Sequence, residues 1–134
     1  MPFTRISLLA GKSPAYLAAV ADGLDHALVE CFDVPEKDRF VAIHQHRPEE
    51  LIFDRTYRGG PRSDDYIFFH ITTGKARSAE TKARFYRRLV EALAASPGVR
   101  PEDVMVAIAN SSFEDWSFAS GLSAAGVAAE DGSR

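Results

Sequence analysis

The chain has 134 residues, the size of one ordinary domain, which excludes a multidomain machine. Its 46% hydrophobic and 26% charged content is globular and excludes disordered, collagen-like and disulfide-scaffold classes. With 16 Lys and Arg against 19 Asp and Glu, the net charge of −3 is too slight for a dedicated nucleic-acid or membrane-surface binder.

The segment from Phe3 to Leu9 alternates apolar and polar residues and ends at Gly11-Lys12, which predicts a first strand. Ser13-Pro14 then reads as an N-cap followed by proline at the first helical position, where its missing N–H costs nothing. Leu17, Val20, Leu24, Leu28 and Cys31 recur at spacings of three and four and predict a helix to about Phe32. A second strand is expected over Phe40 to His46, closed by Arg47-Pro48. Tyr66 to Thr73 is the most strand-like run of the chain, and Gly74 ends it. Ser78 caps a second helix whose apolar stripe is Phe85, Leu89, Ala92 and Leu93. On its other side Arg84, Arg87 and Arg88 read as a solvated face with Glu80 and Glu91. Ser96-Pro97-Gly98 stops it, and Val104 to Ala109 is the fourth strand.

The two halves repeat at an offset of about 65 residues, Val41-Ala42-Ile43 returning as Val106-Ala107-Ile108, each preceded by a Pro-Glu pair. Each half is strand, helix, strand, and a right-handed crossover makes its two strands parallel. The expected fold class is α+β: a tandem β-α-β repeat with a four-stranded mixed sheet and two helices on one face. The domain is expected over residues 1–120, with halves at about 2–57 and 66–118 and an Ala-, Gly- and Ser-rich tail at 121–134 that is either loose or wraps a neighbouring subunit. The other sheet face is expected to be apolar and to be covered by neighbouring subunits.

Cys31 is the single cysteine, so the chain forms no internal disulfide and no multi-thiolate metal site. A cytoplasmic location is expected, since Met1 to Arg5 lacks the basic-then-apolar pattern of a signal peptide and no run reaches the length of a membrane span. Pro2 is the first candidate for chemistry. If Met1 is removed, Pro2 becomes a secondary amine able to act as base, cationic acid or nucleophile. The second is Gly74-Lys75-Ala76-Arg77-Ser78, where two cations at a strand-to-helix junction form a clamp for a small carboxylate. From Lys75 to Arg88 six basic residues face one acid. His44 and His46 lie on one side of a strand, as in a metal site, but no third ligand follows at characteristic spacing, and hydrogen-bonded strand histidines are the competing reading. His26 and His70 read as structural. No Gly-x-Ser-x-Gly elbow occurs, and Gly59-Gly60-Pro61 is a turn without phosphate-loop context.

Met1-Pro2 opening a strand, the duplicated half and the cationic junction together resemble the tautomerase superfamily, in the longer-subunit branch typified by malonate semialdehyde decarboxylase. The matching stretches are Val34-Pro35-Glu36-Lys37-Asp38-Arg39-Phe40, Gln45-His46-Arg47-Pro48, Ala76-Arg77-Ser78, Phe85-Tyr86 and Asn110 through Phe118. The resemblance implies a homotrimer with sites near subunit boundaries and neither metal nor organic cofactor. It places the amino-terminal proline at Pro2, the aspartate beside it at Asp38 and the second of two arginines at Arg77. The first arginine is Lys75 here, which keeps the charge but loses the planar two-donor fork. Trp116 and Phe118 fall on the family's aromatic motif, either as an apolar wall of the site or as plain core packing. The implied activity is metal-independent decarboxylation of a small 3-oxo acid. Alternatives are a keto-enol tautomerase or hydratase of 2-oxo acids with Pro2 as general base, and a non-catalytic ligand-binding or signalling trimer. The implied partner is a small anionic oxo acid, with no nucleic acid and no membrane.

Overall fold

A computed structural model of the chain describes residues 1–125. Strand β1 (Pro2–Leu9) leads into helix α1 (Pro14–Phe32) and strand β2 (Val41–His46); strand β3 (Ile67–Thr73) leads into helix α2 (Ala79–Ala95) and strand β4 (Val104–Asn110). The sheet order is β2-β1-β3-β4, parallel within each half and antiparallel where β1 meets β3. Strand limits differ from the sequence expectation by one residue. Phe40 lies just outside β2, although its carbonyl still accepts the Thr4 N–H at 3.0 Å.

Each helix begins as its serine dictates. Ser13 accepts from the Tyr16 N–H and Ser78 from the Thr81 N–H, satisfying one of the amides that a helix start leaves open. Helix α1 stops where Asp33 turns left-handed (φ 55°), a conformation aspartate tolerates better than most residues. The apolar stripes then meet the sheet. Ile6, Leu8, Ile67, Phe69 and Ile71 from the strands pack against Val20, Leu24, Phe85, Leu89 and Leu93 from the helices. Every one of these is almost fully buried, each contributing about 1.5–3 kcal/mol of hydrophobic stabilisation. The helices approach closely at Gly23, where an added Cβ would lie 3.0 Å from Leu93.

Helix α1 has no basic residue in its last turn to offset its macrodipole. Cations from the second half fill that role. The Arg77 Nη2 donates to the Phe32 carbonyl at 2.9 Å, the Arg84 Nη2 reaches the Cys31 carbonyl at 3.4 Å, and Arg88 pairs with Glu30 at 2.8 Å. Arg84 and Arg88 thus turn towards α1 instead of forming a separate solvated row with Glu80 and Glu91. The cause is geometric: the helices pack side by side, so part of the polar face of α2 overhangs the end of α1.

The sheet face away from the helices differs from the apolar surface expected. The pairing register puts Phe3, Leu9 and Phe68 there, but also Arg5, His44 and His70. Strict alternation is the reason in β1, β2 and β3, where most apolar residues face the helices, whereas β4 keeps Met105, Ala107 and Ala109 on the open face. Arg5 lies 5.2 Å from the Phe3 ring and its Nη1 is 3.3 Å from the His44 Nε2. Between β2 and β3 the connection is held down by buried Asp103, which accepts from both the N–H and the hydroxyl of Ser63 at 2.7 Å. No helix among the described residues is long and apolar enough to cross a membrane. Of the expected tail, Ala124 is buried and its N–H bonds the Trp116 carbonyl at 2.9 Å; residues 126–134 lie outside the described residues.

Candidate active site

Pro2 opens β1, a central strand, and pairs with Thr73 at the end of β3. This brings the chain start against the second strand-to-helix junction, and the Gly74 N–H donates to the Met1 carbonyl at 3.3 Å. Asp38 arrives from the α1–β2 connection, where a turn closed by its own N–H to the Pro35 carbonyl (2.9 Å) sets it beside the chain start. The α-ammonium lies 3.7 Å from the Asp38 Oδ2, and the two side chains are 6% and 4% exposed. Out of bulk water such an opposite charge favours the ionised amine. The amine belongs to Met1 here, while the Pro2 nitrogen is an amide.

A cleft of about 240 Å³ opens over this pair, lined by Met1, Asp38, Phe40 and Phe118. Phe40 and Phe118 are 55% and 44% exposed, high values for phenylalanine, and they give the cleft aromatic walls. Phe40 was not singled out from the sequence as a site residue. It follows Arg39 at a strand start, where no periodicity marks it. A larger groove of about 510 Å³ along α1, lined by residues such as Asp25, Glu30 and Glu36, contains none of the expected site residues.

Phe118 is held in place by the chain leaving β4. The Ser111 N–H and hydroxyl both donate to the Thr73 carbonyl (2.7 and 2.8 Å), and the Trp116 indole N–H donates to the Ser111 hydroxyl oxygen at 2.7 Å. A short 3-10 turn, Phe113–Asp115, is closed reciprocally by Ser112 and Asp115. Phe118 then contacts Trp116 (5.8 Å between ring centres) and meets Phe113 edge-on (6.2 Å). Of the two expected wall residues, Phe118 lines the cleft and Trp116 backs it. Gly74 is required by the same packing, because a Cβ there would sit 2.9 Å from the Phe113 ring.

Arg77 and Lys75 are in different situations. The Arg77 guanidinium lies 4.6 Å from the Phe32 ring and donates to the Lys75 carbonyl at 2.7 Å as well as to Phe32. Burial lowers its pKa from the ordinary arginine value. These bonds use two of the five N–H donors a guanidinium carries, and neither Arg77 nor Lys75 is among the residues lining the cleft over Met1 and Asp38. The Lys75 side chain is exposed and forms no hydrogen bond or ion pair among the described residues. His44 and His46 share the sheet face away from the helices, and no cluster of three or more metal-ligating side chains is found among the described residues. His26 and His70 are exposed and not packed in the core.

Two sequence models of the tautomerase enzyme family match the chain, over residues 38–119 and over residues 2–57. The probable tautomerase YusQ of Bacillus subtilis (strain 168) is 35% identical over 121 residues, spanning 90% of this chain and 95% of the relative. The probable tautomerase YrdN of the same organism is 34% identical over 121 residues, with 90% and 93% covered. Among solved structures, one of malonate semialdehyde decarboxylase is 33% identical with a TM-score of 0.87, covering 96% of this chain and 98% of that one. Another malonate semialdehyde decarboxylase, inhibited by 3-bromopropiolate, is 36% identical with a TM-score of 0.85, covering 96% of each chain. The chain belongs to the tautomerase superfamily, and it is an enzyme of decarboxylase or tautomerase type.

Proposed function

We propose that the protein, with Met1 removed, uses the amine of Pro2 to decarboxylate a small 3-oxo acid resembling malonate semialdehyde, without metal or organic cofactor. The observation that carries this reading is that Pro2 and Asp38 line one small cavity, with Asp38 also at the base of the aromatic-walled cleft of Phe40 and Phe118. Breaking the bond to the carboxylate sends its electron pair towards the carbonyl carbon and oxygen. A cation is therefore needed at that oxygen, or an iminium in its place. Protonated Pro2 supplies it, and Asp38 stabilises the charge. The enolate then takes a proton at carbon and leaves as the aldehyde; on the iminium route the enamine takes that proton to give an iminium, and water, replacing the one lost when the iminium formed, hydrolyses it to the aldehyde and the free amine. Lys75 and the free N–H groups of Arg77 hold the departing carboxylate, and Phe118 and Trp116 keep water from the charges. The similar malonate semialdehyde decarboxylase is described with decarboxylase and hydratase activities and with an alanine variant at its first-residue proline, which supports assigning the chemistry to Pro2. We further propose a homotrimer, since Phe3, Leu9 and Phe68 on the open sheet face gain from being covered, and a cytoplasmic location.

A tautomerase of small 2-oxo acids is the second reading, favoured by the curated relatives, which are named probable tautomerases. It needs Pro2 neutral near pH 7, which Lys75 and Arg77 promote and Asp38 opposes. Malonate semialdehyde, phenylpyruvate and small 2-oxo acids assayed on wild type and Pro2→Ala separate the two. We expect wild type to decarboxylate malonate semialdehyde and Pro2→Ala to lose about 100-fold or more while staying folded. Full turnover by Pro2→Ala would sink both readings; turnover confined to 2-oxo acids would leave the second.

A further inference from the structure

Thr4 stands two residues after Pro2 on the same, helix-facing side of β1. It is 1% exposed, and its hydroxyl has no hydrogen-bond partner among the described residues. A buried hydroxyl left unsatisfied is destabilising, and valine would fill nearly the same volume without that cost. Thr4 lines a small cavity of about 10 Å³ together with Pro2, Asp38, Leu24 and Leu28. That is about the volume one water molecule needs, and a buried water needs two to four polar partners, roughly what this cavity offers.

We propose that Thr4 holds a single water molecule that bridges its hydroxyl to the Asp38 carboxylate and the Pro2 nitrogen, which makes Thr4 a positioning residue for the amine. The inference rests on the reading of Pro2 as the terminal amine. In the cationic form the Pro2 N–H donates to the water, the Thr4 hydroxyl donates to the water, and the water donates to Asp38. That arrangement favours the charged amine and so raises its pKa. The other charged groups at this cavity are Asp25 on α1 and Arg39 before β2. Arg39 lies 3.8 Å from Asp25 and 3.1 Å from Asp22, so its charge is already met.

The test uses full-length protein whose first residue is Pro2, verified by mass, as wild type, Thr4→Val and Thr4→Ser. The Pro2 nitrogen is titrated by 15N NMR. Thr4→Val should lower the amine pKa by about half a unit or more, roughly a threefold loss of proton affinity, and Thr4→Ser should restore it. An unchanged titration in folded Thr4→Val overturns the proposal, as does a high-resolution crystal structure without a water within about 3.2 Å of both Thr4 Oγ1 and Asp38. Neither measurement depends on turnover. Failure of the decarboxylase assignment would therefore leave them readable, and their failure would leave that assignment standing.

Discussion

The two strand-to-helix junctions begin alike and end differently. Gly11-Lys12-Ser13 follows β1, and Gly74-Lys75-Ala76-Arg77-Ser78 follows β3; each ends on a serine N-cap. In the first, Lys12 is bound to Asp65 and sits 4.9 Å from the Tyr16 ring. In the second, Lys75 has no side-chain partner among the described residues, and two inserted residues bring Arg77 onto the end of α1. The glycines diverge too. Gly11 has φ +119° in open space, whereas Gly74 is hemmed in by Phe113. A duplicated element has thus been neutralised where it only turns the chain and left charged where it meets the chain start. The difference lies in how the acids are placed: Asp65 bonds Lys12 at the first junction, whereas at the second Asp33 acts on Arg77 only through its charge and Lys75 has no ion pair among the described residues.

The largest effect is expected at the second junction. Arg77→Ala should lower kcat/KM by about 100-fold or more and also destabilise the fold, because it uncaps α1 as well as removing the cation proposed to hold the carboxylate. Lys75→Ala should reduce activity while leaving thermal stability within about 0.5 kcal/mol. Steady-state kinetics and chemical denaturation check both, and Lys12→Ala with an activity loss equal to that of Lys75→Ala would erase the contrast. The glycines come next. Gly74→Ala should cost about 1–3 kcal/mol through overpacking against Phe113, and a Gly74→Ala, Phe113→Leu double variant should recover part of it. Gly11→Ala should cost about 1–2 kcal/mol through backbone conformation alone, with no rescue by any neighbour.

The smallest effect concerns the Lys12–Asp65 pair. Its hydrogen bond raises the Lys12 pKa, so its contribution is complete below the ordinary lysine value and disappears as pH rises through the raised folded value. The pair is partly exposed, which limits it to about 0.2–1 kcal/mol. Denaturation of wild type and Lys12→Ala should therefore differ slightly at pH 8 and converge at strongly alkaline pH; divergence there would reverse the sign.

The fold was legible because local signals agreed: two serine caps, apolar residues at helical spacing, and the repeated Val-Ala-Ile strand. The polarity of the open face was missed because adjacent apolar residues in β3, such as Phe68 and Phe69, look continuous until alternation sends them to opposite sides. At the site, Pro2 was singled out by its own chemistry and Asp38 and Phe118 by resemblance; Pro2 and Asp38 line one small cavity, and Met1 and Asp38 share a cleft with Phe118. Phe40 lay at the end of a stretch matching the family but carried no periodicity that marked it as a cleft wall. The attachment of Arg77 to Phe32 was hidden by the 45 residues that separate them, a contact made only by the packing of α1 beside α2.

That attachment has a consequence for the carboxylate that Arg77 and Lys75 are proposed to hold. A free arginine side chain holds about 2 kcal/mol of rotamer entropy, part of which a ligand must remove in order to bind. In Arg77 much of that freedom is already lost during folding, to two carbonyls and an aromatic ring, whereas Lys75 keeps its own until the ligand arrives. The two cations should therefore divide the work of recognition: one sets the direction from which a carboxylate is received, and the other adapts to its length.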